Sequence, residues 1–551
     1  MSLTRISRAA ERAVLFAYLV LGTVLVTYPT RIYLGFAPLE ALKVFYSPML
    51  FVVVYLAWVA CLVVYATLPG SRRVTMTGLI LAASFGLVSS LIILNASPLG
   101  LDHNYDVTYS VTSYLATFSH IPPNLPAAYG YLSFPGLFLL TDAESELMGL
   151  PPSAIGFVIQ CAMFVLVSLC AYGLVDNLLR DGRRALMALP LLFTSSFTAF
   201  AMRFYFPLAF GISLFALGLF ILTRRKSGVA LLLVMSSMII SHFYPLVALT
   251  FLLGSVVFLQ KVTGQTSSYR RFVPIFILAD GSYLIFVAAT LSSNIVALIQ
   301  RSLAVGLVLS HPVTVASTNY AQSPFWVTLV QYTDLALTSV VGVIIAVYIV
   351  FRRANRHELS SMYAYAVLGL VGFGLAALFS SSSQGGQDYL PLLEFLSLLS
   401  IPLLFLWISG SKRTLAFISI FLIVLCPLST VVLQLSQVST ISVTDTQVNG
   451  ATYLAKYLPN PAASVITDES TGGVLATSDP FLDVQYFPSP SHSVNYTPGL
   501  YNVLYVPAVN YQIHDFGYGY KLDLLVQANV VYTNGELYVL PAISPHYGLA
   551  R

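Results

Sequence analysis

Charge is the scarcest thing in this chain. Only 9% of its 551 residues are Asp, Glu, Lys or Arg, against 57% hydrophobic, and the mean hydropathy is +0.82. A soluble domain has too little interior to hide that much apolar surface, so the soluble classes are excluded and a polytopic membrane protein is expected. Cysteine is scarce as well. Cys61, Cys161, Cys170 and Cys426 all fall inside apolar runs, where a thiol packs as a small hydrophobe; neither a disulfide framework nor a zinc site is expected. No small-residue cleavage site follows the apolar run after Arg5, Arg8 and Arg12, which points to a retained signal-anchor. No internal repeat stands out, and nucleic acid is not an expected partner.

What the chain has in abundance is apolar runs. Against the roughly 20 residues a helix needs to cross the hydrocarbon core, about 13 transmembrane helices are expected. They lie near 13–34, 45–68, 75–96, 153–176, 185–203, 205–223, 227–241, 243–260, 272–292, 326–351, 361–380, 388–409 and 414–436. The pair meeting at His242 is short enough to be a hairpin or a broken helix. Basic residues fix the orientation. Arg5, Arg72, Arg73, Arg180, Arg183, Arg184, Arg224, Arg352, Lys412 and their neighbours fall on alternate loops, so that about 19 of the 26 Lys and Arg share one side. By the positive-inside rule that side is the cytoplasm. The N-terminus is then cytoplasmic, while the 97–152 loop and the C-terminal tail face outward. The protein is expected in the plasma membrane.

Acids do the reverse. Asp102, Asp106, Asp142 and those from Asp445 onward lie outside, and Asp334, Asp388 and Glu394 occupy the outer halves of their spans. Arg203 and His242 sit at outer ends too. Charges at membrane depth usually face a bundle interior or a water-filled cavity, so one outward-opening polar chamber is expected. Asp280, beside Gly281, is the exception, lying nearer mid-span.

The first long polar break, Ser97 to Gly136, concentrates Asp102, His103, Asp106 and His120 ahead of a Pro- and Tyr-rich stretch containing Tyr129. Val107, Val111, Leu115 and Phe118 recur at helical spacing, which predicts a short interface helix over 105–118. Beyond about Val438 the composition turns polar. Ala463–Thr467 reads as a buried strand, and Ala528–Leu540 as a hairpin turning on Asn534-Gly535. The division is thus 1–436, a transmembrane domain whose first large outer loop is 97–152, and 437–551, a small α/β extracytoplasmic domain.

The order of elements in that loop resembles the membrane-embedded GT-C glycosyltransferases, particularly archaeal members and the protein mannosyltransferase and aminoarabinose transferase branches. The resemblance rests on Asp102 and Asp106, the 105–118 helix, His120-Ile-Pro-Pro123, Tyr131-Leu-Ser-Phe-Pro-Gly136 and Gly149-Leu-Pro, with Ser241-His-Phe-Tyr-Pro245 like the His-x-x-Pro hairpin of archaeal members. Two places depart from it. Asp106 stands where many relatives have His, and Gln387-Asp388-Tyr389 where some carry Arg.

What the resemblance implies is transfer of a sugar from a polyprenyl (dolichyl) phosphate carrier to a glycan, lipid or protein acceptor at the outer face. Asp102 would be the base, with Asp106 or His103 orienting it or the acceptor. Arg203 or Arg301 would supply the cation for the donor phosphate. His120, Tyr129, His242, Asp334, Asp388 and Glu394 complete the expected substrate-binding set. Plainer roles stand beside these: Asp102 or Asn104 as a helix cap, His120 as a turn residue, His242 as partner of a backbone carbonyl, Arg203 as a snorkelling side chain, and the intramembrane acids as cavity lining. No particular cofactor is implied, and an acid pair at i, i+4 leaves a divalent metal open.

Two rivals are weighed. An oligosaccharyltransferase shares the architecture, but its tail signature needs adjacent tryptophans, and Trp58, Trp326 and Trp407 all lie in the membrane region. A secondary transporter would use Asp280, Asp334 and Glu394 as ion sites, which the lack of repeats and the outward crowding of acids disfavour.

Overall fold

The computed structural model describes residues 3–27, 49–68, 76–96, 112, 115, 134–194, 207–224, 228–262, 264, 270–286, 340–352, 362–371, 390–408, 453, 464–467, 483–486, 502–507, 532–533 and 537–540. Its helices are α1 (Leu3–Thr27), α2 (Met49–Thr67), α3 (Met76–Ala96), α4 (Gly136–Met148), α5 (Pro152–Leu179), α6 (Gly182–Ala185), α7 (Ala188–Thr194), α8 (Pro207–Arg224), α9 (Gly228–Ser241), α10 (Phe243–Val262), α11 (Phe272–Phe286), α12 (Val341–Arg352), α13 (Met362–Val371) and α14 (Leu390–Ile408). Each expected span as far as 388–409 contains or overlaps one of these helices, and 414–436 lies outside the described residues. Four helical stretches, Ala9–Val26, Ala154–Leu179, Pro207–Arg224 and Pro245–Val262, are long and apolar enough to cross a membrane, with shorter apolar helices beside them. The protein is a multi-pass membrane protein.

One helix was not anticipated. The segment read as plain outer loop contains α4, which starts after Pro135 and stops at Gly149, whose φ of 64° is the left-handed geometry that glycine adopts without strain. Three acids, Asp142, Glu144 and Glu146, hide α4 from a hydropathy ruler, while Leu137, Phe138 and Thr141 form its buried face. Leu115 and Thr112, on the expected interface helix, are both helical and buried.

The bundle is assembled around α5, which packs against α3, α4, α6, α7, α8 and α14. Small residues allow the close approaches: a Cβ on Gly86 of α3 would lie 2.6 Å from the Phe164 carbonyl oxygen on α5. α1, α2 and α3 are joined by a continuous aromatic stack. Tyr18 and Trp58 lie 5.3 Å apart, and Trp58 and Phe85 4.7 Å apart with planes within 5°. At the end carrying the arginine clusters, Arg183 ties three chain segments together. It pairs with Glu11 at 2.7 Å, donates to the Leu68 carbonyl at 3.2 Å and lies 4.9 Å above the Tyr65 ring. Asn177 on α5 donates to Thr223 on α8 at 2.9 Å nearby.

In the tail, the described strands β1 (Ser464–Thr467), β2 (Asp483–Tyr486), β3 (Asn502–Pro507), β4 (Tyr532–Thr533) and β5 (Leu537–Leu540) form one sheet in the order β2-β1-β3-β5-β4. β1 runs parallel to β2 and β3, while β5 pairs antiparallel with β3 and β4. The β4–β5 register, Tyr532 opposite Val539 and Thr533 opposite Tyr538, has the antiparallel pairing of the expected hairpin.

Removing the Arg183 fork strands a partly buried carboxylate and a carbonyl. Arg183→Ala is expected to lower stability by about 2–4 kcal/mol, read as a lower melting temperature of the detergent-solubilised protein; Arg183→Lys should recover only part of it.

Candidate functional site

At the end of the bundle opposite the arginine clusters, three sequence stretches converge. The first is the hairpin of α9 and α10. Both run back along α8, for Val234 on one and Leu249 on the other lie against Gly218. His242 is the residue between the two helices, its backbone N–H donating to the Met238 carbonyl at 3.1 Å. Ser241 donates its hydroxyl to the Ser237 carbonyl, which closes the last turn. The fourteen residues of α9 rise about 20 Å, and the twenty of α10 rise about 30 Å, the thickness of a hydrocarbon core.

The second stretch fills the space above that tip. Phe134, just before α4, is 6% exposed and stacks on the His242 ring at 6.1 Å with planes 27° apart. Gly136 comes closest of all: a Cβ there would lie 2.7 Å from Ser241 Oγ and 2.9 Å from the Ile240 carbonyl oxygen. The third stretch is α11, whose Tyr283 meets the other side of Phe134 at 5.8 Å. Phe134 therefore bridges the hairpin and α11. Asp280 lies one turn before Tyr283 on the same face of α11, the face that also buries Phe276.

Of the expected site residues, His242 is the one whose side chain is described. It is buried in this aromatic seat rather than free at a helix end. Asp102, His103, Asp106, His120, Tyr129, Arg203, Asp334 and Asp388 lie outside the described residues, as does Arg301. Glu394 falls on α14, and its carboxylate is likewise outside the described set. Among the described residues no group of three His, Cys, Asp or Glu side chains converges as metal ligands would, and no chemistry is assigned to a metal. Phe134 and Tyr283 were not in the expected set. Helical spacing was the available signal for Tyr283, which sits three residues beyond Asp280.

Farther along α4, Asp142 presents Oδ1 to a buried position with no partner among the described residues. Burial pushes its carboxyl above the usual carboxylate range, and Glu146 one turn away adds to the rise.

No family model matches the chain, and no curated protein does. Solved structures do. The oligosaccharyltransferase of Archaeoglobus fulgidus, solved tethered to an acceptor peptide containing the NVT sequon, superposes with a TM-score of 0.53 at 12% identity over 85% of this chain and 74% of that one. The chain has the fold of this archaeal oligosaccharyltransferase. The same enzyme in complex with Zn and sulfate gives 0.50 at 12% identity, over 84% and 72% of the two chains. ArnT from Cupriavidus metallidurans, bound to undecaprenyl phosphate, gives 0.45 at 12% identity over 86% and 99%.

Two outcomes test this region. Gly136→Ala forces a Cβ against the Ile240 backbone, which cannot yield as a side chain would. It should cost on the order of 1–3 kcal/mol and expose the 134–148 segment to limited proteolysis. Asp142 has a native pKa above its unfolded value, so its ionised form opposes folding once the pH exceeds both. Asp142→Asn should melt higher than wild type at pH 7, with the difference vanishing near pH 3, where both states are protonated.

Proposed function

We propose that the chain is a GT-C glycosyltransferase that moves a sugar from a polyprenyl-phosphate carrier to a glycan, lipid or protein acceptor on the outer face of the membrane. The observation that carries this reading is a fold shared over 85% of the chain with an archaeal oligosaccharyltransferase. Fold alone does not give chemistry, and the residues supply the rest. The chain ahead of Phe134 holds Asp102 and Asp106, and its end is seated on the His242 hairpin. The division at 1–436 and 437–551, the thirteen spans, the cytoplasmic N-terminus and the outward active site belong to the same proposal.

The reaction needs one base and one cation. Asp102 takes the proton of the acceptor hydroxyl, with Asp106 or His103 orienting that hydroxyl. The acceptor oxygen then attacks the anomeric carbon as the bond to the phosphate oxygen breaks. The lipid phosphate leaves with its negative charge opposed by Arg203 or Arg301. A single direct displacement inverts the anomeric centre, as in inverting glycosidases. The isoprenoid tail lies between helices, against their apolar faces.

A second reading, transfer to an asparagine side chain, is favoured by the fold neighbour, which was solved with a sequon peptide. It is disfavoured by the tryptophans, none of which are adjacent. Radiolabelled polyprenyl-phosphate sugars offered to the purified protein with hydroxyl acceptors and with an Asn-containing peptide separate the two. Asp102→Ala and Asp106→Ala should each reduce transfer by about 10²–10⁴-fold if they supply the base. Wild-type rates from both variants would end the proposed mechanism.

A further inference from the structure

The apolar surface of α5 does not stop where the helix does. Its half nearer the arginine clusters is sealed, every residue from Ala171 to Asp176 being buried, whereas Phe157 and Val158 near the other end are exposed. On a helix long and apolar enough to cross a membrane, such side chains face lipid. The elbow that joins α4 to α5 carries the strip onward: Leu147 is 86% exposed, Met148 56% and Leu150 44%. This elbow is a fixed bend. Gly149 turns it with a φ of 64°, Ser145 donates its hydroxyl to the Leu150 carbonyl at 2.5 Å, and Pro151 and Pro152 open α5 directly behind it.

The level of the elbow follows from helix length. The 28 residues of α5 extend about 42 Å, close to the roughly 40–45 Å of a bilayer measured across both headgroup regions. With the exposed Arg180 at one interface, Pro152 and the elbow before it reach the opposite one. Headgroup charge is not what would hold them there, because 136–152 contains no Lys or Arg and has three acids, Asp142, Glu144 and Glu146. Exposed aliphatic side chains at that depth gain by entering the boundary between headgroups and acyl chains.

We infer that the α4–α5 elbow is a lipid anchor, its Leu147, Met148 and Leu150 side chains entering the acyl boundary of the leaflet opposite the arginine clusters. The partner is the lipid surface itself, and neutral lipid suffices. A stretch that polarity assigns to a water-exposed loop thus ends in the membrane. α4 is then held at both ends, at Gly136 by the α9–α10 hairpin and at the elbow by lipid.

The test uses the full chain in phosphatidylcholine vesicles. Leu147→Cys and, as a second probe, Met148→Cys carry a nitroxide, with wild type measured in parallel to subtract the native cysteines. Collisions with oxygen, which concentrates in lipid, are compared with collisions with a nickel chelate confined to water. Leu278→Cys, on the exposed apolar face of α11, is the lipid standard, and Arg270→Cys, exposed just ahead of that helix, is the water standard. Both elbow probes should collide severalfold more with oxygen than with the chelate, by a smaller margin than Leu278→Cys. An excess of chelate collisions would put the elbow in water and overturn the anchor. So would silence toward both colliders, which means cover by protein. Dipolar broadening that fades when unlabelled protein is mixed in would overturn it too, in favour of contact with a second copy.

Discussion

Backbone can leave a helix inside a bilayer only where protein or water covers it, because lipid satisfies no N–H or C=O group. The α9–α10 hairpin breaks at His242 and has such a cover there. The seating of Phe134, Pro135 and Gly136 on that tip provides it. Gly136 lies so close to Ile240 and Ser241 that no side chain fits between them, and Phe134 carries the contact on to Tyr283 of α11. A tight turn, a residue without a side chain and one aromatic ring thus register the 134–136 segment on the α9–α10 hairpin and α11.

The opposite end solves a different problem. Helices in lipid gain little from apolar contact with one another, since lipid tails are equally apolar, and association falls to packing and polar bonds. The Tyr18–Trp58–Phe85 stack supplies the first for α1 to α3. Arg183 supplies the second by reaching Glu11, the Leu68 carbonyl and the Tyr65 face at once.

Much of the helical plan could be read from the sequence because the bilayer makes length and apolarity nearly sufficient. The strand at 464–467 and the β4–β5 pairing were likewise visible in β-branched runs and an Asn-Gly turn. Other features were hidden for physical reasons. α4 is short and carries three acids, so hydropathy assigns it to loop. Glu11 and Arg183 are 172 residues apart, and periodicity reports which face a residue occupies but not what it meets. His242 was singled out correctly as a residue at the turn, yet its ring is covered by an aromatic from a loop whose approach no spacing rule encodes. Asp280 was read as an exception to the outward acids, and its geometry places it on the inner face of α11. The acids of the first outer loop were chosen by resemblance to a family, and the described residues show only the ground they stand on.

The length of α5 has a consequence of its own. Its 28 residues extend about 42 Å, well beyond a hydrocarbon thickness of about 30 Å. The central strut of the bundle must therefore lean or overhang, and most of the other helices lean on it. Bilayer thickness then becomes a variable acting on the whole assembly, because a thinner membrane tips the strut and carries its neighbours with it. Lipid chain length in a reconstitution is thus part of the protein's geometry.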